Sequence, residues 1–265
     1  MNKTELLNSC AGGDEDLRLI LARTLDKLDT AQRRGAPANT PFLSPAQRVA
    51  VEGLINRSGH PRHLFFGGYD DAERTICVFL PDWLEEEDWP SGEHPLAAVQ
   101  FTASAGAKLS HRDWLGSILG LGLTREKIGD LLVDENRCQA VVLAETASIL
   151  LSQLDKVSRY SVSGVALPLE SLTPPPRTVK TIRDTFATLR LDAVTASAFS
   201  LPRSKAAALI SSGRVSLNHV ECTKPDRTVS EGDIISCRGS GKCIVKAIHG
   251  QSKKGRIMAE LERYV

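Results

Sequence analysis

Between Leu189 and Ile235 the chain reads LRLDAVTASAFSLPRSKAAALISSGRVSLNHVECTKPDRTVSEGDII, with Arg190, Arg203, Lys205 and Arg214 set among small apolar residues. Guanidinium forks match phosphate oxygens two at a time, and helix N-termini add amide donors to the same anion. The chemistry such a stretch offers is capture of a phosphate backbone. Solvated surface charge is the competing reading of the same four residues.

Other constellations fail when their spacing is tested. His111-Arg112-Asp113 imitates a kinase catalytic loop, but Ile118 stands where that loop needs a metal-binding Asn, and no DFG occurs. Gly120-Leu121-Gly122 lacks the third glycine of a dinucleotide fingerprint and follows a helical pattern, and there is no GxxxxGK[ST]. His219, Cys222, Cys237, Cys243 and His249 contain no CxxC pair and no paired zinc spacing, so no metal site is expected. No Ser/His/Asp arrangement stands out. No catalytic residue and no cofactor are assigned.

The most distinctive upstream motif is GGYDDAER, Gly67 to Arg74. Gly67 and Gly68 permit a turn that a side chain would forbid, from which Arg74 reaches a phosphate or pairs with Asp70 or Asp71. Turn architecture and a binding surface both remain open for it. Tyr69 and Phe66 read equally as base-stacking platforms and as core residues.

The elements that must position these groups follow from periodicity. Leu17, Ile20, Leu21, Leu25 and Leu28 keep helical spacing behind the acidic turn Asp14 to Asp16, and Gly35 and Pro37 end that helix. Ser44-Pro45 predicts the start of a second helix, to Asn56. Strands are expected at 64–66, 75–80, 96–101, 128–133, 139–144 and 160–167, with helices at 114–121 and 146–157 between them. That alternation predicts an α/β sandwich with helices on one face. Prolines 174 to 176 read as a linker, followed by a connecting strand near 179–186. Helices at 191–199 and at Arg203 to Gly213 and a short antiparallel sheet complete the chain, with Gly250 to Gly255 as a mobile tip able to order on a bound polyanion.

The expected fold class is therefore α+β and multi-domain: a helical N-terminal region at 1–62, an α/β domain at 63–173, a linker with its strand at 174–187, and a small two-helix module at 188–265. Charge divides along the same line. Residues 177–265 carry 16 Lys and Arg against 8 Asp and Glu, whereas residues 1–176 carry 17 against 24. A basic tail on an acidic body is the footprint of a polyanion-binding protein. The first residues turn acidic without an apolar stretch, the six cysteines are scattered, and no apolar run is long enough to span a bilayer; a cytoplasmic protein with no membrane role is expected.

LRLDAVTASAF, RSKAAALISSGRVSLN and SEGDIIS resemble the small RNA-binding module named after ribosomal small-subunit protein four, over about residues 188–240. PFLSPAQRVAVEGLI, FFGGYDDAERTICVFLP, LSHRDWLGSILGLGLTREKIGDLLV and KKGR resemble blocks of the YlmH family in their family order, from about Pro41 to Arg256. One departure stands at Pro202, where the module usually has a helix-capping Ser; Ser200 is the substitute cap expected here.

The resemblance implies that the central domain is similar to an RNA recognition motif. It also implies a bacterial, monomeric RNA-binding protein without enzymatic activity. Its implied partners are ribosomal RNA, the large ribosomal subunit and peptidyl-tRNA, in quality control of stalled ribosomes. An rRNA-modifying enzyme, or an accessory factor in ribosome biogenesis or cell division, is the alternative; against the enzyme, Leu189-Arg190-Leu191-Asp192 belongs to the binding module and not to a pseudouridine-synthase block. The expected RNA-binding set is Arg190, Arg203, Ser204, Lys205, Arg214, Asn218, Arg227, Arg238, Lys242, Lys253, Lys254 and Arg256, Asn218 serving as a turn residue before a base reader. Gly67, Gly68, Tyr69, Arg74, His111 and Arg112 form a secondary candidate surface.

Overall fold

Side-chain caps mark most of the helix starts. The computed structural model describes residues 2–89, 94–176 and 178–264, which fall into two compact units, 1–175 and 176–265. In the first, α1 (Lys3–Ala11) follows Asn2, whose side chain accepts the Glu5 N–H at 2.8 Å. Helix α2 (Glu15–Arg34) follows Asp14 and ends at Gly35, and α3 (Pro45–Arg57) follows Ser44, which shares a reciprocal capping box with Gln47. Helix α1 escapes the periodicity reading because only Leu6, Leu7 and Ala11 of its nine residues are buried.

Strands β1 (Ala38–Asn39), β2 (His63–Phe66) and β3 (Ile76–Phe79) form an antiparallel sheet in the order β1-β3-β2. This corrects the expectation that the segments near 64–66 and 75–80 open the central sheet. Cys77, Phe79 and Phe65 pack instead with Leu21, Val51, Leu54 and Ile55 of α2 and α3.

The central sheet comprises β4 (Leu96–Ala103), β5 (Ile128–Asp134), β6 (Arg137–Leu143), β7 (Lys156–Val157) and β8 (Tyr160–Leu167), in the order β5-β6-β4-β8-β7. Helix α4 (His111–Gly120) connects β4 to β5, and α5 (Ala144–Gln153) follows β6. Apart from the short β7, this is the βαββαβ topology of an RNA recognition motif. Val99, Phe101, Trp114, Ile118, Val142 and Leu150 fill the layer between helices and sheet. Helix α5 stops before the expected Val157, because Val157 pairs with Tyr160 across a tight hairpin and is fully buried.

The second unit is a six-stranded antiparallel sheet with two helices. Strand β9 (Val179–Phe186) precedes α6 (Leu191–Phe199) and α7 (Arg203–Ser211). Next come β10 (Val215–Leu217), β11 (Val220–Glu221), β12 (Ile234–Cys237), β13 (Gly241–Gln251) and β14 (Ile257–Tyr264). The order is β11-β10-β12-β13-β14-β9, so the strand expected as a connector is an integral edge of this sheet, in register from Val179↔Tyr264 to Phe186↔Ile257. Leu191, Val194, Ala198 and Ile210 bury the helices against Ile235, Cys243, Val245 and Leu261. Each buried leucine, isoleucine or valine among them contributes about 1.5–3 kcal/mol by leaving water.

Candidate nucleic-acid interface

Asp192 is the pivot of the basic face. Its carboxylate, only 7% exposed, accepts Nε and Nη2 of Arg190 at 3.2 and 3.1 Å and Nη2 of Arg203 at 3.1 Å. Burial pushes the Asp192 carboxyl up, but hydrogen bonds and charge from the two arginines outweigh it and hold the group below its usual range. The loop after β11 closes against the same place: Leu191 donates its N–H to the Arg227 carbonyl at 2.8 Å and Asp192 to that of Pro225 at 2.9 Å. These bonds satisfy the first turn of α6 and set Arg227 beside the pair.

The first turn of α7 is different. Pro202 holds the N-cap with φ −57°, and no side chain caps the amides that follow. Ser200 is not the substitute cap expected of it: at φ +54° it ends α6, its N–H turned back to Ala196 and Ser197. The amides of α7 therefore start beside the exposed residues Arg203, Ser204 and Lys205.

Further along, the N–H of Arg238 donates to the Arg214 carbonyl at 2.9 Å, placing two exposed arginines side by side where β10 meets β12. Gly213, at φ +70°, makes the turn into β10, and a Cβ there would stand 2.6 Å from a Glu221 carboxylate oxygen. Asn218 closes a turn: its amide donates to Asp233 at 2.8 Å and its oxygen accepts the Ile234 N–H at 2.9 Å. Lys242 lies over the Tyr264 ring at 5.4 Å.

The tip of the β13–β14 hairpin is shorter than expected, because Gly250 and Gln251 belong to β13. Its turn is tied by the Ser252 N–H to the Arg256 carbonyl at 2.8 Å, leaving Lys253 and Lys254 exposed. Arg256 itself donates to Thr185 Oγ1 at 3.0 Å, which anchors it to β9.

In the first unit, GGYDDAER wraps around Asp130 of β5. Asp130 accepts the Tyr69 hydroxyl at 2.9 Å and the N–H groups of Glu73 and Arg74 at 2.7 and 3.2 Å. Arg74 donates to the carbonyls of Ile128, Arg125 and Phe42 at 2.9, 3.1 and 3.3 Å. Burial and the neighbouring Arg125 push its pKa down to about 10, which leaves it charged at neutral pH. Arg74 thus pairs with neither Asp70 nor Asp71 in these contacts, and serves as a tie between segments. Gly67 and Gly68 are buried in the same turn; a Cβ on Gly67 would stand 2.6 Å from the Arg74 carbonyl, and one on Gly68 2.9 Å from Val141. Tyr69 and Phe66 pack on the apolar cluster of Phe42, Ile76 and Val141. His111 and Arg112 are exposed at the start of α4, where Asp113 caps the helix reciprocally with Ser110.

A recognition motif stacks bases on aromatic side chains of its two central strands. The central strands here are β4 and β6, and their only aromatic residue, Phe101, lies in the helix-side core. On the opposite face Leu96 and Val141 are buried under Phe42, Leu64 and Ile76. Gln139 donates to Gln100 at 3.0 Å and accepts the Thr173 N–H at 2.8 Å. That face is an internal packing surface over much of its area.

Residues 189–235 match the family model of the S4 domain, and residues 94–171 match that of a candidate RNA-binding domain in YlmH. The chain is 32% identical over 250 residues to the "Ribosome-associated protein quality control protein P2" of Bacillus subtilis (strain 168), covering 94% of this chain and 96% of that protein. The chain belongs to the YlmH family. It is thus a member of an RNA-binding family, with an S4 domain at its C-terminal end. The fold is also similar to a solved structure, the "Cell division protein ylmH from Streptococcus pneumoniae", at TM-score 0.50 and 23% identity, covering 60% of this chain and 96% of that one.

Two participants in this YlmH-family protein escape the sequence reading. Asp192 lies in the first turn of α6, where a carboxylate would merely favour the exposed amides, although the Arg190-x-Asp192 spacing is a signal for a local fork. Asp130 has no local signal, since Tyr69 is 61 residues away. Among the described residues no group of three or more His, Cys, Asp or Glu is arranged to hold a metal ion, and no helix is long and apolar enough to cross a membrane.

Proposed function

We propose that the chain is a non-enzymatic RNA-binding protein that engages ribosomal RNA of the large subunit, together with peptidyl-tRNA, in quality control of stalled ribosomes. The observation that carries this reading is the side-chain-uncapped start of α7 set among Arg203, Lys205 and the Arg190–Asp192–Arg203 cluster. Phosphate oxygens are hard anionic acceptors, and this face offers them amides and guanidinium groups at one place. Arg214, Arg227, Arg238, Lys242, Lys253 and Lys254 extend the footprint. The name of the Bacillus subtilis relative supports the ribosomal setting.

The mechanism is positional: electrostatic capture comes first, and shape selection by the two-helix platform follows. Base stacking on the central sheet is no part of it. Selectivity for the site on the ribosome falls to the exposed His111 and Arg112 and to the second unit's own contour.

Sedimentation of a bacterial lysate tests this reading. The protein is expected to travel with free large subunits; fractions containing it only at the top of the gradient would overturn it. Incubation with ribosomal RNA followed by nucleoside mass analysis is expected to yield no new modified base, and a new one would replace the non-enzymatic reading.

A further inference from the structure

Arg190 and Arg203 are long side chains that lose rotamer freedom when they clamp a phosphate, a cost that falls on binding unless they are ordered beforehand. In the free protein they are already ordered. Arg190 meets the Asp192 carboxylate as a fork through Nε and Nη2, and Arg203 reaches both oxygens with Nη2, at 3.1 and 3.3 Å. The carboxylate is nearly buried, while the arginine side chains remain 39% and 58% exposed. Asp192 is itself fixed by its N–H bond to Pro225. The two cations come from the starts of different helices, Arg190 preceding α6 and Arg203 opening α7, so a single anion sets their separation.

We propose that Asp192 is a positioning residue for RNA: it holds Arg190 and Arg203 as one pre-formed phosphate clamp, and the affinity gained through that order exceeds what its negative charge costs. The proposal rests on the reading of this face as the RNA site. It runs against simple electrostatics, by which removing a carboxylate from a polyanion-binding face tightens binding. Exposed Asp226, whose charge also acts on Arg190, provides the contrast, because no hydrogen bond from either arginine to it is seen.

Affinity of the full chain for purified bacterial large-subunit ribosomal RNA is measured for wild type, Asp192→Asn and Asp226→Asn, with thermal melting of each. The clamp predicts a Kd about tenfold higher for a folded Asp192→Asn protein, while Asp226→Asn binds as tightly as wild type or more so. A folded Asp192→Asn protein that binds as tightly as wild type or more tightly overturns the proposal, as does equal weakening by both variants. Should Asp192→Asn not fold, Arg203→Lys takes its place, since it keeps the charge and loses the planar fork. A severalfold loss then supports the clamp, and unchanged affinity overturns it. Wild type is measured first: failure of wild type to bind removes the RNA reading, and the clamp with it, whereas a tightly binding wild type with an indifferent Asp192→Asn removes the clamp alone.

Discussion

The Tyr69 hydroxyl donates to Asp130 Oδ2 at 2.9 Å, and this one carboxylate also takes the main-chain N–H groups of Glu73 and Arg74. GGYDDAER is thereby bound to β5, and Arg74 fastens the carbonyls of Phe42, Arg125 and Ile128 beside it. Asp130→Ala removes the acceptor shared by three donors, two of them on the backbone. It is expected to lower the stability of the first unit by about 2–3 kcal/mol. Urea unfolding of the full chain checks this, and the affinity of the second unit for RNA should stay unchanged. A variant of wild-type stability would return GGYDDAER to the list of binding surfaces.

Mild acid is expected to weaken the first unit. Partial burial holds His94 below the ordinary histidine range; His111, although exposed at the start of α4, is lowered by partial desolvation of its ring and by the charge of nearby Arg125. Because their folded-state values are depressed, the unfolded chain binds more protons as pH falls, so stability is full above about pH 6.5 and declines below it. Melting of the first unit between pH 7.5 and 5.5 should shift downward, and the double variant His94→Gln, His111→Gln should flatten that shift. Asp192 has the opposite ionisation, with a carboxyl already held below its usual range. Its contribution to the second unit is present above about pH 3.9 and is lost as pH falls through its lower folded value.

The thiols divide by burial. Burial pushes Cys77 and Cys138 up to about 12 and Cys243 up to about 11, leaving almost no thiolate at neutral pH. Cys237 is also buried, whereas Cys10 and Cys222 are partly accessible. Iodoacetamide at pH 8 is expected to label Cys10 and Cys222 in the folded chain and all six only after denaturation, as peptide mass analysis would report.

Gly67→Ala should cost the first unit about 1–3 kcal/mol, because its Cβ would meet the Ala72 side chain and the Arg74 backbone carbonyl and neither can withdraw without opening the turn. Circular dichroism melting measures this, and a neutral substitution would mean the turn is looser than its contacts indicate.

Local chemistry was the legible part of this fold. Ser44-Pro45, Asp14 and Gly213 announce helix starts and a turn because each acts within a few residues of itself. Alternating apolar residues announce strands but not partners, so β2 and β3 read as part of the central sheet although they pair with each other and β3 with β1. Strand β9 reads as a connector because most of its side chains are exposed, yet its backbone is paired along its whole length. The basic residues of the site were legible as types. Their geometry was not, because Asp192 joins Arg203 across 11 residues and a helix end. Arg74 likewise reads in sequence as a partner for a phosphate or for Asp70 or Asp71, since the carbonyls that hold it lie 32, 51 and 54 residues away.

The central claim is that RNA is captured on the α6–α7 face of the second unit, and titration of large-subunit ribosomal RNA across a salt series tests it most directly. If about five phosphates are neutralised, log affinity should fall against log salt with a slope of roughly −3.5 to −4.5. The Arg203→Ala, Lys205→Ala double variant should flatten that slope by about 1.5 and weaken binding at low salt while the chain stays folded, although it melts somewhat earlier for want of the Arg203–Asp192 contact. A flat salt response, or a double variant indistinguishable from wild type, would contradict the account.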